Sequence, residues 1–218
     1  MNKRQESAIR FRKKMAAIKQ HKEPYTWKVL GQEFTIFPNV FNPGKDADLL
    51  AKLMKIKDGT AVLDLGTGCG VLGIFAAKNA SKVILTDINP DGVKNAKYNV
   101  KKFGLDKKME VRKGDLFRPI KQSEKFDVII FNPPFGNEKP KNFLEMAMRD
   151  YKYKTLAKFL KQVKEFLRTD GRIYMSFSDL GDIGYFEKLL NKYKLKVKIL
   201  GKLEDDLFTK YIYELKFA

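Results

Sequence analysis

Several residue types are scarce in this chain of 218 residues, and each scarcity removes a class of function. A single cysteine, Cys69, excludes an intramolecular disulfide framework and fits a reducing, cytoplasmic compartment. A single histidine, His21, excludes a multi-histidine metal centre and any Ser-His-Asp triad elsewhere, and no metal is expected. No apolar run approaches the ~18 residues of a membrane span, because the longest, Val71 to Ala77, is interrupted by Gly73. No apolar core of about 7–15 residues follows the basic N-terminus, so a secretory signal is not expected either. Internal repeats and low-complexity segments are also missing. The last shortage is acidic: 26 Asp and Glu against 44 Lys and Arg leave a net charge of +18. What remains is 44% hydrophobic, enough to fill the core of one domain of this length.

The charge is uneven. The first 22 residues hold eight Lys and Arg against Glu6 alone, a net +7. Ala8, Phe11, Met15 and Ile18 make one helical stripe there, so residues 1–22 read as a basic amphipathic arm and 23–218 as the domain. The arm is either a solvated helix packed by that stripe or a nucleic-acid-binding element; an organellar transit segment fits less well. Lysines also line the segment from Lys152 to Arg168 and the one from Lys188 to Lys202. A polyanionic partner and a lysine-rich solvated surface both account for them.

Alternating strand and helix patterns fill the rest. Thr26–Leu30 and Glu33–Phe37 flank Gly31-Gln32 as a hairpin, and Asp46 is placed to cap a helix carrying Leu49, Leu50 and Leu53. Strands are expected at 61–65, 82–86, 109–112, 126–131, 172–177, 195–200 and 208–216, with helices after Gly70 and over 90–101, 155–167 and 183–193. This is an α/β, doubly wound, Rossmann-like sheet of seven strands. Gly201 to Leu207 is too short for a crossover helix, so the last strand runs antiparallel. Residues 136–153 read as a polar connection where such sheets carry their ligand loops.

Two motifs carry chemistry. Val62-Leu63-Asp64-Leu65-Gly66-Thr67-Gly68-Cys69-Gly70 is strand, glycine turn and helix start, and Asp87 ends the next strand, where a carboxylate can take two ribose hydroxyls. Gly68 to Gly73 also satisfies the dinucleotide pattern, so an NAD-type oxidoreductase stays open. Asp64 weighs against a pyrophosphate, which it would repel, and suits a ligand bearing an ammonium group. Cys69 reads as a small packing residue.

The second motif is Asn132-Pro133-Pro134-Phe135 at the end of a strand. Two prolines remove backbone donors and leave the carbonyls of Asn132 and Pro133, with the Asn132 side-chain oxygen, as converging acceptors for an NH₂ group. Phe135 offers a flat face to a planar base or amide. Methyl transfer to nitrogen needs in-line placement and neither histidine nor metal. Trp27 reads as core or edge packing more readily than as a stacking platform, and Tyr151 and Tyr153 as a helix start or an RNA-contacting lip.

With these motifs in order, the chain from about Val40 to Ala218 resembles class I S-adenosylmethionine-dependent methyltransferases of the amino-nitrogen group, which carry an Asn-Pro-Pro-aromatic motif. The resemblance implies S-adenosyl-L-methionine as cofactor, held by Asp64, Gly66, Thr67, Gly68 and Gly70 at its methionine end. It implies Asp87 and Ile88 at the ribose and Asp115 and Leu116 near the adenine. Asn132, which also borders the cofactor, Pro133, Pro134 and Phe135 are implied at the reacting centre, and Phe41 and Asn42 beside the pocket. Both small RNA methyltransferases and release-factor glutamine methyltransferases share the motif, because adenine N6, guanine N2 and a glutamine amide all present a conjugated NH₂. Phe135 with a following Gly136, the short N-terminal region and the +18 charge favour rRNA or tRNA. A protein glutamine substrate, with or without a partner subunit, is the alternative.

Overall fold

The structure is a computed structural model and describes residues 21–204 and 208–218 together with Ile9. The expected basic helix of residues 1–22 thus falls almost wholly outside the described residues. A hairpin of β1 (Tyr25–Val29) and β2 (Gln32–Ile36) leads into α1 (Lys45–Leu53). Then follow β3 (Ala61–Leu65), α2 (Val71–Ala76), β4 (Lys82–Asp87), α3 (Pro90–Lys102), β5 (Met109–Lys113) and β6 (Phe126–Phe131). The second half holds α4 (Phe143–Met146), α5 (Lys154–Gln162), β7 (Leu167–Ser178), α6 (Ile183–Lys192), β8 (Leu195–Glu204) and β9 (Thr209–Phe217).

β3 to β9 form one seven-stranded sheet in the order β5-β4-β3-β6-β7-β9-β8. Every neighbouring pair is parallel except the two that β9 makes, antiparallel to β7 and to β8. The strand order reverses between β3 and β6, and a crevice opens there beyond the strands' carboxyl ends, where open α/β sheets bind ligands.

Strand alternation sorts the core into two layers. Val62, Val83, Leu85, Val128 and Ile130 face the hairpin and helices α1 to α3. Their neighbours Leu63, Leu65, Ile84, Ile129 and Phe131 face α5 and α6, which contribute Leu156, Phe159, Phe186 and Leu190. Each such fully buried side chain contributes roughly 1.5–3 kcal/mol of hydrophobic stabilisation. α3 opens as its sequence indicates: Asn89 accepts the amide of Asp91 at 3.0 Å, and Pro90 takes the first helical position.

The hairpin is tied down by two asparagines of α3 that are fully buried. Asn95 Oδ1 accepts Phe37 N at 2.8 Å, and Asn99 Oδ1 accepts Thr35 N at 3.0 Å. Asn99 Nδ2 donates to the carbonyls of Thr35 and Cys69, so one amide links the hairpin to the glycine loop. Each buried donor and acceptor is thereby satisfied, which avoids a cost of about 1–3 kcal/mol per orphaned group.

Several boundaries differ from the expectations. The helix expected over 155–167 stops at Gln162 and tightens into a 3-10 turn, Val163–Glu165. Leu167 instead starts β7, which is longer than expected and slips register against β6 between Phe126 and Val128. The connection 136–153 holds α4 and a 3-10 turn, Tyr151–Tyr153. Asp46 does not cap α1: the N-cap is Gly44, without a side-chain bond, and Asp46 turns inward to the site. On β8 the residues from Lys196 to Ile199 are exposed on both faces, since this is the sheet's edge. Among the described residues no helix is long and apolar enough to cross a membrane.

Candidate active site

The carboxyl ends of β3, β4 and β6 surround a cavity of about 890 Å³, within the range of ligand sites. Every site residue named from the sequence, except Gly70, lines it, as do Phe41 and Asn42. Gly70 lies just beneath.

The glycine loop explains its own composition. Gly66, Gly68 and Gly70 have φ of +62°, +57° and +89°, a region closed to most side chains. Thr67 N donates to Thr86 O at 3.0 Å, which pins the loop to the next strand. Gly73 answers to packing instead: a Cβ there would stand 2.8 Å from Leu85 Cδ2 and 3.1 Å from Asp64 Oδ2.

Asp64 is 1% exposed, and its Oδ2 accepts Thr67 Oγ1 at 2.6 Å and Gly73 N at 2.9 Å. Burial outweighs these bonds and pushes the carboxyl up to about 7. A nearby ammonium group is the counter-charge that would offset this. Asp87 accepts Gly68 N at 2.7 Å and Asn89 N at 2.8 Å, so one carboxylate braces both the loop and the start of α3. Burial raises it above the ordinary carboxylate value. Cys69 is buried and its thiol is pushed up to about 12 by desolvation, which makes it a packing residue and not a nucleophile.

Ile88 follows Asp87 with more than a third of its surface open, and Leu116 faces the same cavity with φ +49°. These two apolar side chains bracket room for a flat heterocycle. Asp115, on the same rim, forms an ion pair with Lys158 of α5. Positive-φ glycines, a buried acid at the strand end and an apolar shelf fit the amino-acid, ribose and base portions of S-adenosylmethionine.

Across the cavity the Asn-Pro-Pro-Phe turn leaves β6. The Pro133 carbonyl accepts no hydrogen bond among the described residues. The Asn132 side chain, by contrast, is held on both sides. Its Nδ2 donates to Asp46 Oδ2 at 3.0 Å, and its Oδ1 accepts from Ser176 Oγ on β7. Asp46 also pairs with Lys210 of β9 at 2.9 Å. Burial raises the Asp46 carboxyl, but the Lys210 charge and the bonds from Lys210 and Asn132 outweigh it and leave it below its ordinary value. Phe135 is 7% exposed; Lys210 Nζ stands 5.0 Å from its ring centre, and Phe208 packs at 6.1 Å. Asp46, expected only as a helix cap, and Ser176, Phe208 and Lys210 were given no place at the site from the sequence. Only strand order brings them together, and Lys210 is one cation among 44.

The mouth is lined by Trp27, Phe143 and Tyr151, exposed at 39%, 44% and 41%. Tyr151 is at the lip, whereas Tyr153 is buried and its hydroxyl accepts the amide of Asp182 at 2.8 Å. Gly136 exchanges backbone bonds with Met148 and Asp150, which folds the connection back over the Asn-Pro-Pro-Phe turn. Asp150 then accepts the first amides of α5, from Thr155 and Leu156. Among the described residues no cluster of three or more His, Cys, Asp or Glu side chains could hold a metal ion.

Comparison with known proteins agrees with this geometry. Residues 33–198 match the family model "Methyltransferase small domain". The putative protein N5-glutamine methyltransferase of Methanocaldococcus jannaschii is 31% identical over 81% of this chain and 91% of its own length. A tRNA1(Val) (adenine(37)-N6)-methyltransferase of a Flavobacteriaceae bacterium is 29% identical over 74% of this chain, which spans 63% of that enzyme. The Thermus thermophilus 16S rRNA N2 G1207 methyltransferase, solved with AdoMet and guanosine, superposes with a TM-score of 0.69 at 20% identity. That match covers 90% of this chain and 50% of the other, and it shows the shared fold. With the glycine loop, the acid after it and the Asn-Pro-Pro-Phe turn around one cavity, the chain belongs to the methyltransferase small domain family and is a class I S-adenosylmethionine-dependent methyltransferase.

Proposed function

We propose that the acceptor is an exocyclic amino group of RNA, adenine N6 or guanine N2, in ribosomal or transfer RNA. The observation that carries this reading is the cavity mouth. Trp27, Phe143 and Tyr151 are large aromatics left open to solvent around one opening. Stacking on such side chains contributes about 1–3 kcal/mol per base and is indifferent to sequence. Lys152 lies over the Tyr151 ring at 5.3 Å, and Lys45 and Lys154, at the starts of α1 and α5, line the cavity. A net charge of +18 adds affinity for phosphates through counterion release. The basic residues 1–22 are proposed to add phosphate contacts through their net +7 charge.

In this reading the glycine loop, Asp64, Asp87, Ile88, Asp115 and Leu116 hold S-adenosylmethionine, which supplies an electrophilic methyl group when bound. Asn132 and Pro133 accept the hydrogens of the target NH₂ and so aim its nitrogen lone pair. Phe135 supports the ring of a base that is unpaired or extruded from its helix. Placement alone supplies much of the acceleration, because an oriented nucleophile needs no further entropy loss. The nitrogen proton leaves to water after transfer.

A second reading is supported by one specific observation: the archaeal relative that matches along 91% of its own length is named as a glutamine methyltransferase. A glutamine amide presents the same conjugated NH₂ to the same acceptors. Tritiated-methyl transfer into extract of a strain lacking the gene separates the two readings. Label in the RNA fraction is the expected result. Label confined to protein selects glutamine, and label in neither sinks both.

A further inference from the structure

The acceptor amide is useful only one way round. With Oδ1 toward the cavity, Asn132 accepts a hydrogen from an incoming NH₂. Rotated by 180°, it presents its own NH₂, and donor meets donor. Nothing in the amide itself favours the first state. The surroundings do. Asp46 Oδ2 takes Asn132 Nδ2 at 3.0 Å, and an ionised carboxylate can only accept, so the NH₂ must face it. Ser176, 1% exposed, donates its hydroxyl to Oδ1, the one hydrogen bond that this oxygen accepts among the described residues, and an amide oxygen can accept two. The arrangement lasts only while Asp46 stays ionised in a site where its side chain is 8% exposed. Lys210, reaching across from β9, stands 2.9 Å from the same carboxylate oxygen.

We infer that the Lys210–Asp46 ion pair is a latch on the Asn132 amide, and that both residues are positioning residues for methyl transfer. The inference rests on the acceptor role given to Asn132 above. The latch spans three separate parts of the fold: α1, the end of β6 and the start of β9. The charged group that acts on Asp46 is Lys210 from β9, while Asp48, on its own helix, has its carboxyl raised by burial and by Asp46. Removing the lysine leaves Asp46 buried beside another acid, and it takes up a proton at higher pH. A protonated carboxyl can donate, and the amide is then free to turn.

The test pairs Lys210→Met with Lys210→Arg. Side-chain NH₂ resonances of Asn132, identified in the ¹⁵N-labelled protein by their loss in Asn132→Asp, are followed over pH. In the unmodified protein they should not change from pH 5 to 8. In Lys210→Met they should titrate within that range, and Lys210→Arg should restore the flat profile. In parallel, methyl transfer to the RNA or protein fraction is measured. The acid limb of kcat should move up by about one pH unit or more in Lys210→Met, about a tenfold loss per unit below it. S-adenosylhomocysteine affinity should stay within about twofold, since the proposed role lies at the acceptor and not at the cofactor. If Lys210→Met does not fold, as judged by that titration, Lys210→Gln takes its place. Flat Asn132 resonances and an unshifted kcat profile in the variant overturn the latch. Absence of methyl transfer by the unmodified protein would overturn the function reading instead, while the resonances still decide the latch.

Discussion

Two hollows of nearly equal size lie at opposite ends of the sheet. One, of about 890 Å³, is the cavity at the carboxyl ends of β3, β4 and β6. The other, of about 900 Å³, lies at the amino ends of β3, β6 and β7, lined by Lys55, Lys57, Lys125, Asp127, Arg168 and Arg172 among others. Volume does not distinguish them; chemistry does. In the second hollow the arginines already have partners. Arg168 pairs with Asp127 at 3.0 Å and Arg172 with Glu214 at 3.3 Å, while Lys125 donates to the carbonyl of Glu165. In the first, two left-handed glycines, Gly66 and Gly68, expose backbone, a buried acid is held up to about 7, and a proline-fixed turn presents an unused carbonyl. Charge alone marks a surface whose arginines are already paired. Strained turns and desolvated polar groups mark the one that awaits a ligand.

The largest effect expected from breaking this contrast is at Asn132. Loss of a preorganised contact made in the transition state costs about 2.7–4 kcal/mol, so Asn132→Ala should lower kcat about 10²- to 10³-fold. S-adenosylhomocysteine binding, measured by calorimetry, should be nearly unchanged. A variant with near-normal turnover removes Asn132 from the proposed role.

Next comes Gly73→Ala. Its Cβ, 2.8 Å from Leu85 Cδ2 and 3.1 Å from Asp64 Oδ2, overpacks the base of the glycine loop. Overpacking of this kind costs about 1–3 kcal/mol, readable from urea unfolding midpoints. Cofactor affinity should fall as well, because Asp64 is displaced.

Asp64 supplies a pH test with a definite sign. Its folded value of about 7 lies above the ordinary 3.8. Between those values the native chain holds a proton that the unfolded chain has lost, so this group's contribution to stability falls as pH rises through that window. Asp64→Asn should flatten that slope in urea titrations at pH 5 and pH 8. Pairing with an ammonium favours the ionised form, so cofactor affinity should rise with pH up to about 7, by at most about tenfold per unit, and then level off.

The smallest effect belongs to the other hollow. The Arg168 side chain is 55% exposed in its pair with Asp127. Arg168→Ala should cost no more than about 1 kcal/mol and leave cofactor binding alone. A loss of cofactor affinity there would mean that the two ends of the sheet are coupled.

Much of the fold was legible because its signals are local. The run from Ala61 to Leu65 and the run from Phe126 to Phe131 appear as strands with the expected bounds, since each is a buried β-rich run ended by glycine or proline. The glycine loop was equally plain, as positive φ demands glycine wherever it occurs. Boundaries failed where the chain changes state without such punctuation. Phe166 and Leu167 continue a helical pattern, yet pairing with β6 claims Leu167 for β7. Asn95 and Asn99 look like solvent-facing residues of a polar helix, and they are buried only because the hairpin folds over them.

The amino-acid sequence by itself determined the alternation of strands and helices, the antiparallel last strand and the two motifs that meet at the candidate site. Each depends on residues that lie near one another along the chain. Only the tertiary structure decided the company Asn132 keeps. Asp46, Ser176 and Lys210 lie 86, 44 and 78 positions away along the chain, and no local pattern assigns any of them to the site. Strand order carries β9 in beside β7 and α1 over the carboxyl edge, and that placement makes a buried carboxylate, a hydroxyl and one lysine out of 44 cations into the setting of the Asn132 amide.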